Sequence, residues 1–175
     1  MTENTENNKN NVNLEIERKF LIKQPCIGNL DVKRILDIVQ TYLHEGENGS
    51  QRRVRRITEN DTNIYMYTEK IFCTAVTRRE LEYEISLAEY ESLINDSGTE
   101  SLFKRRICFE YKNQMFELDI YPFSEKFAIL ELELESPEQE IFFPDYIDVV
   151  KEVTGDKRYS NRVLGTLSTF PEEVG

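Results

Sequence analysis

The sequence is poor in the residues that most catalytic and cofactor-binding motifs use. It has one histidine, His44, beside Glu45 and Gly46 in an expected loop, so His–Ser or His–Cys catalysis would rest on that residue alone. Its three cysteines, Cys26, Cys73 and Cys108, are odd in number and match no zinc spacing, which suits free thiols in a reducing cytoplasm. None of the seven glycines falls in a G-x-x-x-x-G-K-[ST] or G-x-G-x-x-G frame, so the familiar phosphate loops are missing. No run approaches the roughly 20 apolar residues of a membrane helix. Residues 1–13 are Asn/Glu-rich without an apolar core, so they read as a disordered tail rather than a secretory signal. With no repeat and no Pro/Gly/Ser-rich linker, residues 14–167 read as one domain and residues 168–175 as a frayed end.

Positive charge is also in short supply. Over 175 residues, 22 Lys and Arg stand against 33 Asp and Glu, a net charge of −11. That balance disfavours nucleic acid and anionic membrane as partners, and at first sight any polyanion.

What the chain does have is alternation. Period-2 patterns run through residues 14–22, 51–57, 64–72, 78–85, 102–111, 114–121 and 127–135, with a shorter candidate strand at 39–43. Helical signals are fewer. One covers residues 31–39 through Ile35, Leu36, Ile38 and Val39. A second opens at Ser86 with Glu89 three residues on, a capping box, and a third lies within 145–153. Seven or eight strands without βαβ alternation indicate an α+β fold, a mainly antiparallel sheet or barrel.

The charges on these strands are sorted by sign. Glu15, Glu17 and Lys19 share one face of their strand, and residues two apart on a strand lie roughly 7 Å from each other. Arg78, Glu80, Glu82 and Glu84 share another face, as do Lys104 with Arg106, and Glu131 with Glu133 and Glu135. A merely wet face mixes signs, because like charges close together repel. Same-sign pairs are tolerable with a counter-charge between them: a divalent cation for carboxylates, phosphate oxygens for Arg and Lys. The pattern points to a barrel with a charged interior. In QRRVRR both faces carry Arg, and a one-residue slip would exchange Arg53 and Arg55 for Arg52 and Arg56.

These residues resemble the CYTH, or triphosphate tunnel metalloenzyme, superfamily, and its small single-domain bacterial members most. Glu15-Ile-Glu17-Arg-Lys19 matches its E-x-E-x-K signature. VQTYL at 39–43, RVR at 53–55, TEK at 68–70, RRELE at 78–82, KRR at 104–106, FELD at 116–119, LELE at 130–133 and EVTGDKRYSN at 152–161 follow in the family's order. The resemblance implies an eight-stranded antiparallel β-barrel, a triphosphate tunnel with a few flanking helices. Glu15, Glu17, Glu80, Glu82, Glu131 and Glu133 would hold one or two Mg²⁺ or Mn²⁺ ions. Lys19, Arg53, Arg55, Lys70, Lys104, Arg106 and Arg158 would grip phosphate. Glu15, Glu17, Lys19 and Tyr42 would stand at the chemistry, with Asp119 and Lys157 in recurring positions.

The chain departs from the pattern at Thr41, where the family has Gly, and at Glu69 and Ile107. Tyr42 and Tyr159 also suit a packing role, Asp156 a capping one, and Arg18 the outer surface.

The expected activity is metal-dependent hydrolysis of a small triphosphate, with inorganic tripolyphosphate first. Nucleoside or thiamine triphosphate hydrolysis, adenylate cyclisation, or binding of polyphosphate without turnover stand as alternatives. The expected setting is the cytoplasm, without nucleic acid or membrane, and the sequence leaves room for a homodimer.

Overall fold

A computed structural model describes residues 12–74 and 77–175. The expected tail therefore lies outside the described residues up to residue 11, while Val12 and Asn13 already belong to the first strand.

Nine strands form one antiparallel sheet: β1 (Val12–Lys23), β2 (Asp31–Tyr42), β3 (Gln51–Glu59), β4 (Thr62–Phe72), β5 (Thr77–Glu84), β6 (Leu102–Tyr111), β7 (Gln114–Ile120), β8 (Phe127–Glu133) and β9 (Val149–Glu152). Their order is β5-β4-β3-β2-β6-β7-β8-β1-β9. The first half of β1, from Val12 to Ile16, also pairs with β5, and this closes an eight-stranded barrel. The second half, from Glu17, pairs with β8, and Phe20 to Ile22 carry the short β9 on the other edge.

Two-residue turns at Asn60-Asp61 and Lys112-Asn113 join β3 to β4 and β6 to β7, with all four residues at positive φ. Their mirror-image twist matches that of the flanking strands. Helix α1 (Leu87–Ser97) begins in the expected capping box: Ser86 Oγ accepts from the Glu89 N–H, and the Glu89 carboxylate accepts from the Ser86 N–H.

Two of the expected helices are strands. Residues 31–39 belong to β2, held between β3 and β6. Their apolar residues fit a helical spacing, but Leu36 and Ile38 also continue, at period 2, the inward face of Gln40 and Tyr42. Pairing on both edges decides between the two. Within 145–153 the β-branched pair Val149-Val150 forms β9 instead. Helix α2 (Asn161–Leu167), with Ser160 as its N-cap, is a further element that the periodicity did not mark.

Most of the apolar core lies outside the barrel wall. Outward residues of β1, β6, β7 and β8, among them Phe20, Phe109, Phe116, Leu130 and Leu132, pack with Leu134, Phe143 and Ile147 from the segment after β8. On the opposite half, Val54 and Tyr67 pack beneath Tyr90, Leu93 and Ile94 of α1. Leu21, Ile129, Phe127, Tyr121 and Leu102 continue the inward faces of their strands and meet Val153, Tyr159, Leu164 and Phe170. Phe170 is fully buried, so the end of the chain is packed into the fold rather than frayed as expected over 168–175. Among the described residues no helix is long and apolar enough to cross a membrane.

Candidate active site in the barrel

Alternation along each strand puts every second side chain inside. On β1 the inward series is Glu15, Glu17, Lys19, then Leu21. On β8 it is Glu133, Glu131, then Ile129, and on β6 it is Arg106, Lys104, then Leu102. On β2, β3, β4 and β6 the other limit is apolar too, with Leu36, Ile38, Ile57, Met66 and Cys108 in one cluster. The charge is thus a band in the barrel, closed by apolar side chains at one end and, on the basic strands, at the other as well.

This band lines a cavity of about 960 Å³. Glu15, Glu17, Glu80, Glu82, Glu131 and Glu133 all reach it, and so do Lys19, Arg53, Arg55, Lys70, Lys104, Arg106 and Tyr42. Strand order separates the signs. The six glutamates come from β8, β1 and β5, which are consecutive around the barrel, while β4, β3 and β6 supply Arg53, Arg55, Lys70, Lys104 and Arg106, five of the nine bases that line the cavity among the described residues.

The register of β3 is also settled. Arg53 and Arg55 face the cavity, whereas Arg52 lies outside and donates from Nε to Tyr67 Oη at 2.7 Å.

Ion pairs link the inward charges, most of them between neighbouring strands. Lys19 Nζ lies 2.8 Å from Glu131, Lys70 Nζ 2.7 Å from Glu80, and Arg55 Nη2 2.7 Å from Glu82. Arg78 Nη1 lies 2.7 Å from Glu17. The tightest knot is on β6 and β7, where fully buried Asp119 receives both Lys104 Nζ at 2.5 Å and Arg106 Nε at 2.7 Å. Arg106 also reaches Glu117 and Glu131.

These neighbours set the protonation states. Burial, with Arg106 beside it, pushes the Lys104 ammonium down to about 8, although Asp119 and Glu131 oppose the shift. Burial alone would raise the Glu131 carboxyl, but Lys19, Arg106 and Lys104 hold it well below the usual carboxylate range. Burial raises Glu117, which faces Glu131 directly across the β7–β8 pair. Burial and the nearby Arg53 together bring Arg55 down to about 10.

Several polar atoms in the cavity have room for a further partner. The Nε atoms of Arg53 and Arg55 are buried without a hydrogen-bond partner among the described residues. An unpaired buried donor is costly, and an anion in the cavity would satisfy both. On the acidic side, Glu17 stands directly opposite Glu133 in the β1–β8 register, a like-charge pair that needs a cation between its members. The donors there are all carboxylate oxygens, the chemistry preferred by hard divalent ions. As the side chains stand, among the described residues no three acidic, His or Cys groups converge on one point, since the bases draw most of the carboxylates to themselves.

No family model matches the chain. The inorganic triphosphatase of Acetivibrio thermocellus is 31% identical to it over 163 residues, which is 90% of this chain and 98% of that protein. The crystal structure of the inorganic triphosphatase NE1496 superimposes with a TM-score of 0.55 at 28% identity, covering 86% of this chain and 93% of that one. The chain belongs to the CYTH/triphosphate tunnel metalloenzyme superfamily. The PH1012 protein of Pyrococcus horikoshii shares the fold, with a TM-score of 0.52 at 24% identity over 71% of this chain and 81% of its own.

Within the tunnel fold the departures from the superfamily pattern cause little disturbance. Thr41 turns away from the cavity, and its hydroxyl lies 2.6 Å from Ser101 Oγ. Tyr42 keeps its inward place, where its hydroxyl accepts a 2.7 Å bond from Gln40 Nε2. Glu69 bonds outside the tunnel with Ser50, and Ile107 belongs to the outer core. Arg18 pairs with Glu152 on the outer surface, and Asp156 caps the turn at Lys157–Tyr159.

Arg158 is the one expected site residue that the fold does not bring to the tunnel. Its side chain is 65% exposed and bonded to Asp156. Lys157 and Arg162 line the cavity instead. Sequence reasoning also passed over Arg78 and Glu117 as tunnel residues. Both carry a legible signal, since each lies two positions from an assigned charge on the same strand face. Arg162 has none, because α2 itself was not expected.

Proposed function

We propose that this protein is a divalent-metal-dependent triphosphatase that hydrolyses inorganic tripolyphosphate to pyrophosphate and phosphate inside the barrel. The observation that carries the proposal is the sorted cavity, with carboxylates on β8-β1-β5 and bases on β4-β3-β6. The relative from Acetivibrio thermocellus, called an inorganic triphosphatase and matched along almost its whole length, supports the same reaction.

Arg53, Arg55, Lys70, Lys104 and Arg106 bind the phosphate chain and offset the charge that builds on the leaving phosphate. Lys19 stands within the acidic wall, paired with Glu131. Glu15, Glu17 and Glu133, with Glu80, Glu82 and Glu131, would hold one or two Mg²⁺ or Mn²⁺ ions. A bound ion supplies charge neutralisation and a water of lowered pKa. The chain's own part is to align the phosphate and keep Tyr42 in place through Gln40.

The ion pairs of the cavity fit this role, since Glu80, Glu82 and Glu131, with their bases engaged by phosphate oxygens, would be the carboxylates to hold a cation. Three free thiols fit a cytoplasmic setting.

The test is phosphate release from tripolyphosphate, ATP and thiamine triphosphate under Mg²⁺ and Mn²⁺, with cyclic AMP assayed in parallel. Tripolyphosphate is expected to have the highest kcat/KM, by at least tenfold. Equal or faster turnover of ATP or thiamine triphosphate would move the assignment to that substrate, and binding of tripolyphosphate without turnover would make the protein a sensor.

A further inference from the structure

Seven of the nine bases lining the cavity come from β3, β4, β6 and the segment carrying Lys157 and Arg162. Only Lys19 and Arg78 stand among the carboxylates of β8, β1 and β5. Lys19 is committed to Glu131. Arg78 is held differently.

The β1–β5 register sets Arg78 directly opposite Glu15, and its Nη1 reaches across to Glu17 Oε1 at 2.7 Å. Both side chains are 14% exposed. This is a single-point contact. The Arg78 Nε is buried with no hydrogen-bond partner among the described residues, whereas Arg106 is pinned by Asp119, Glu117 and Glu131. The Arg78 guanidinium also lies 5.7 Å from the centre of the Phe72 ring, which is 57% exposed at the cavity rim. The ring contact and the Glu17 contact are made together, and the ring contact does not depend on Glu17.

Glu17 needs a positive neighbour because Glu133 faces it across the β1–β8 pair. Arg78 is the base bonded to it, with the charge of Lys19 also nearby. We propose that Arg78 is a resident counter-ion of the acidic wall: it holds Glu17 in the absence of metal and must release it before a divalent cation can bind. Arg78 is therefore a positioning residue that weakens metal affinity in the empty protein, much as any state that must be vacated lowers apparent affinity. This inference rests on the reading of Glu17 as a metal carboxylate.

The experiment is a calorimetric Mn²⁺ titration without substrate, on wild type, Arg78→Gln, Arg78→Lys and Glu17→Gln, with circular dichroism to confirm folding. Arg78→Gln is expected to lower the Mn²⁺ Kd at least about fivefold, the size of an ordinary coupling between sites. Arg78→Lys keeps the charge and is expected to stay within about twofold of wild type, on the same coupling scale. An unchanged or weaker affinity in Arg78→Gln, or equal tightening in both variants, would overturn the counter-ion role. Glu17→Gln separates the two ideas. If it binds Mn²⁺ as wild type does, the reading of the acidic wall fails and the Arg78 role with it. If it loses binding while Arg78→Gln gains none, only the Arg78 role fails.

Discussion

At the scale of single residues, function depends on how a small number of charges are partnered. Lys104 and Arg106 share Asp119, yet they respond oppositely: Arg106 is raised well above its ordinary value, while Lys104 is pushed down to about 8. Lys104 therefore becomes neutral in a range where Arg53 and Arg106, both raised, keep their charge. Above that pH the folded protein has one positive charge fewer toward phosphate. The kcat/KM for tripolyphosphate, which follows the free enzyme, is expected to fall as pH rises through about 8. Arginine at this position stays charged, so Lys104→Arg should flatten that limb; a limb unchanged in the variant would assign it to another group. The effect on folding has the opposite sign. Unfolded lysine keeps its proton to about 10.4, so the unfolded state binds more protons between the two values and this group's contribution to stability rises with pH there.

The β3 arginines offer a second residue-scale test. Arg55 is buried toward the cavity and Arg56 is exposed. Arg55→Ala is expected to lower kcat/KM by at least tenfold and Arg56→Ala to leave it within about twofold, since exposed charges away from a site contribute little. The reverse ranking would mean the opposite face of β3 lines the barrel.

At the scale of elements, the end of the chain matters more than its composition suggests. Phe170 is surrounded by Tyr121, Phe123 and Phe127, and Glu172 accepts from Tyr159 Oη and pairs with Lys151. These contacts fix the segment that brings Lys157 and Arg162 to the cavity. Phe170→Ala is expected to cost about 3–5 kcal/mol and lower the thermal midpoint by roughly 6–20 °C. A shift below about 2 °C, on the same scale, would mean that this end is frayed after all.

Sequence reading failed here because a ring is seen to be buried only once its partners are known, and Phe170 finds Tyr121 and Phe127 some forty residues or more upstream. The strands were legible for the converse reason. Period-2 alternation is written locally, and charges on an inward face leave it unmistakable in LEIERKF and LELE. Asp31 to Val39 misled because their apolar spacing satisfies two periods at once, and pairing with β3 and β6 made the choice. Arg158 misled in another way. It sits in a motif of the right kind, but the turn capped by Asp156 sends its side chain to solvent, and Lys157, itself exposed, is the residue of that turn that borders the cavity.

At the scale of the whole molecule, a net charge of −11 coexists with a cavity lined by nine bases and eight acids among the described residues. Net charge sums over surface that a small ligand never visits. The excess acid lies outside the cavity, and a short polyphosphate in the barrel would meet a nearly balanced lining. The fold makes this possible by placing the apolar core outside the wall, beneath α1 and the segment after β8, so that the interior is left for charge.

The central claim is that the two walls act together, with metal on one and phosphate on the other. Initial rates of phosphate release from tripolyphosphate, with Mg²⁺, with Mn²⁺ and with EDTA, in wild type and Glu17→Gln, test it most directly. Wild type should turn over only with metal, and Glu17→Gln, folded to the same circular dichroism spectrum, should be slower by at least about a hundredfold, as expected for loss of a principal transition-state interaction. Wild-type turnover in EDTA, or in Glu17→Gln, would contradict it.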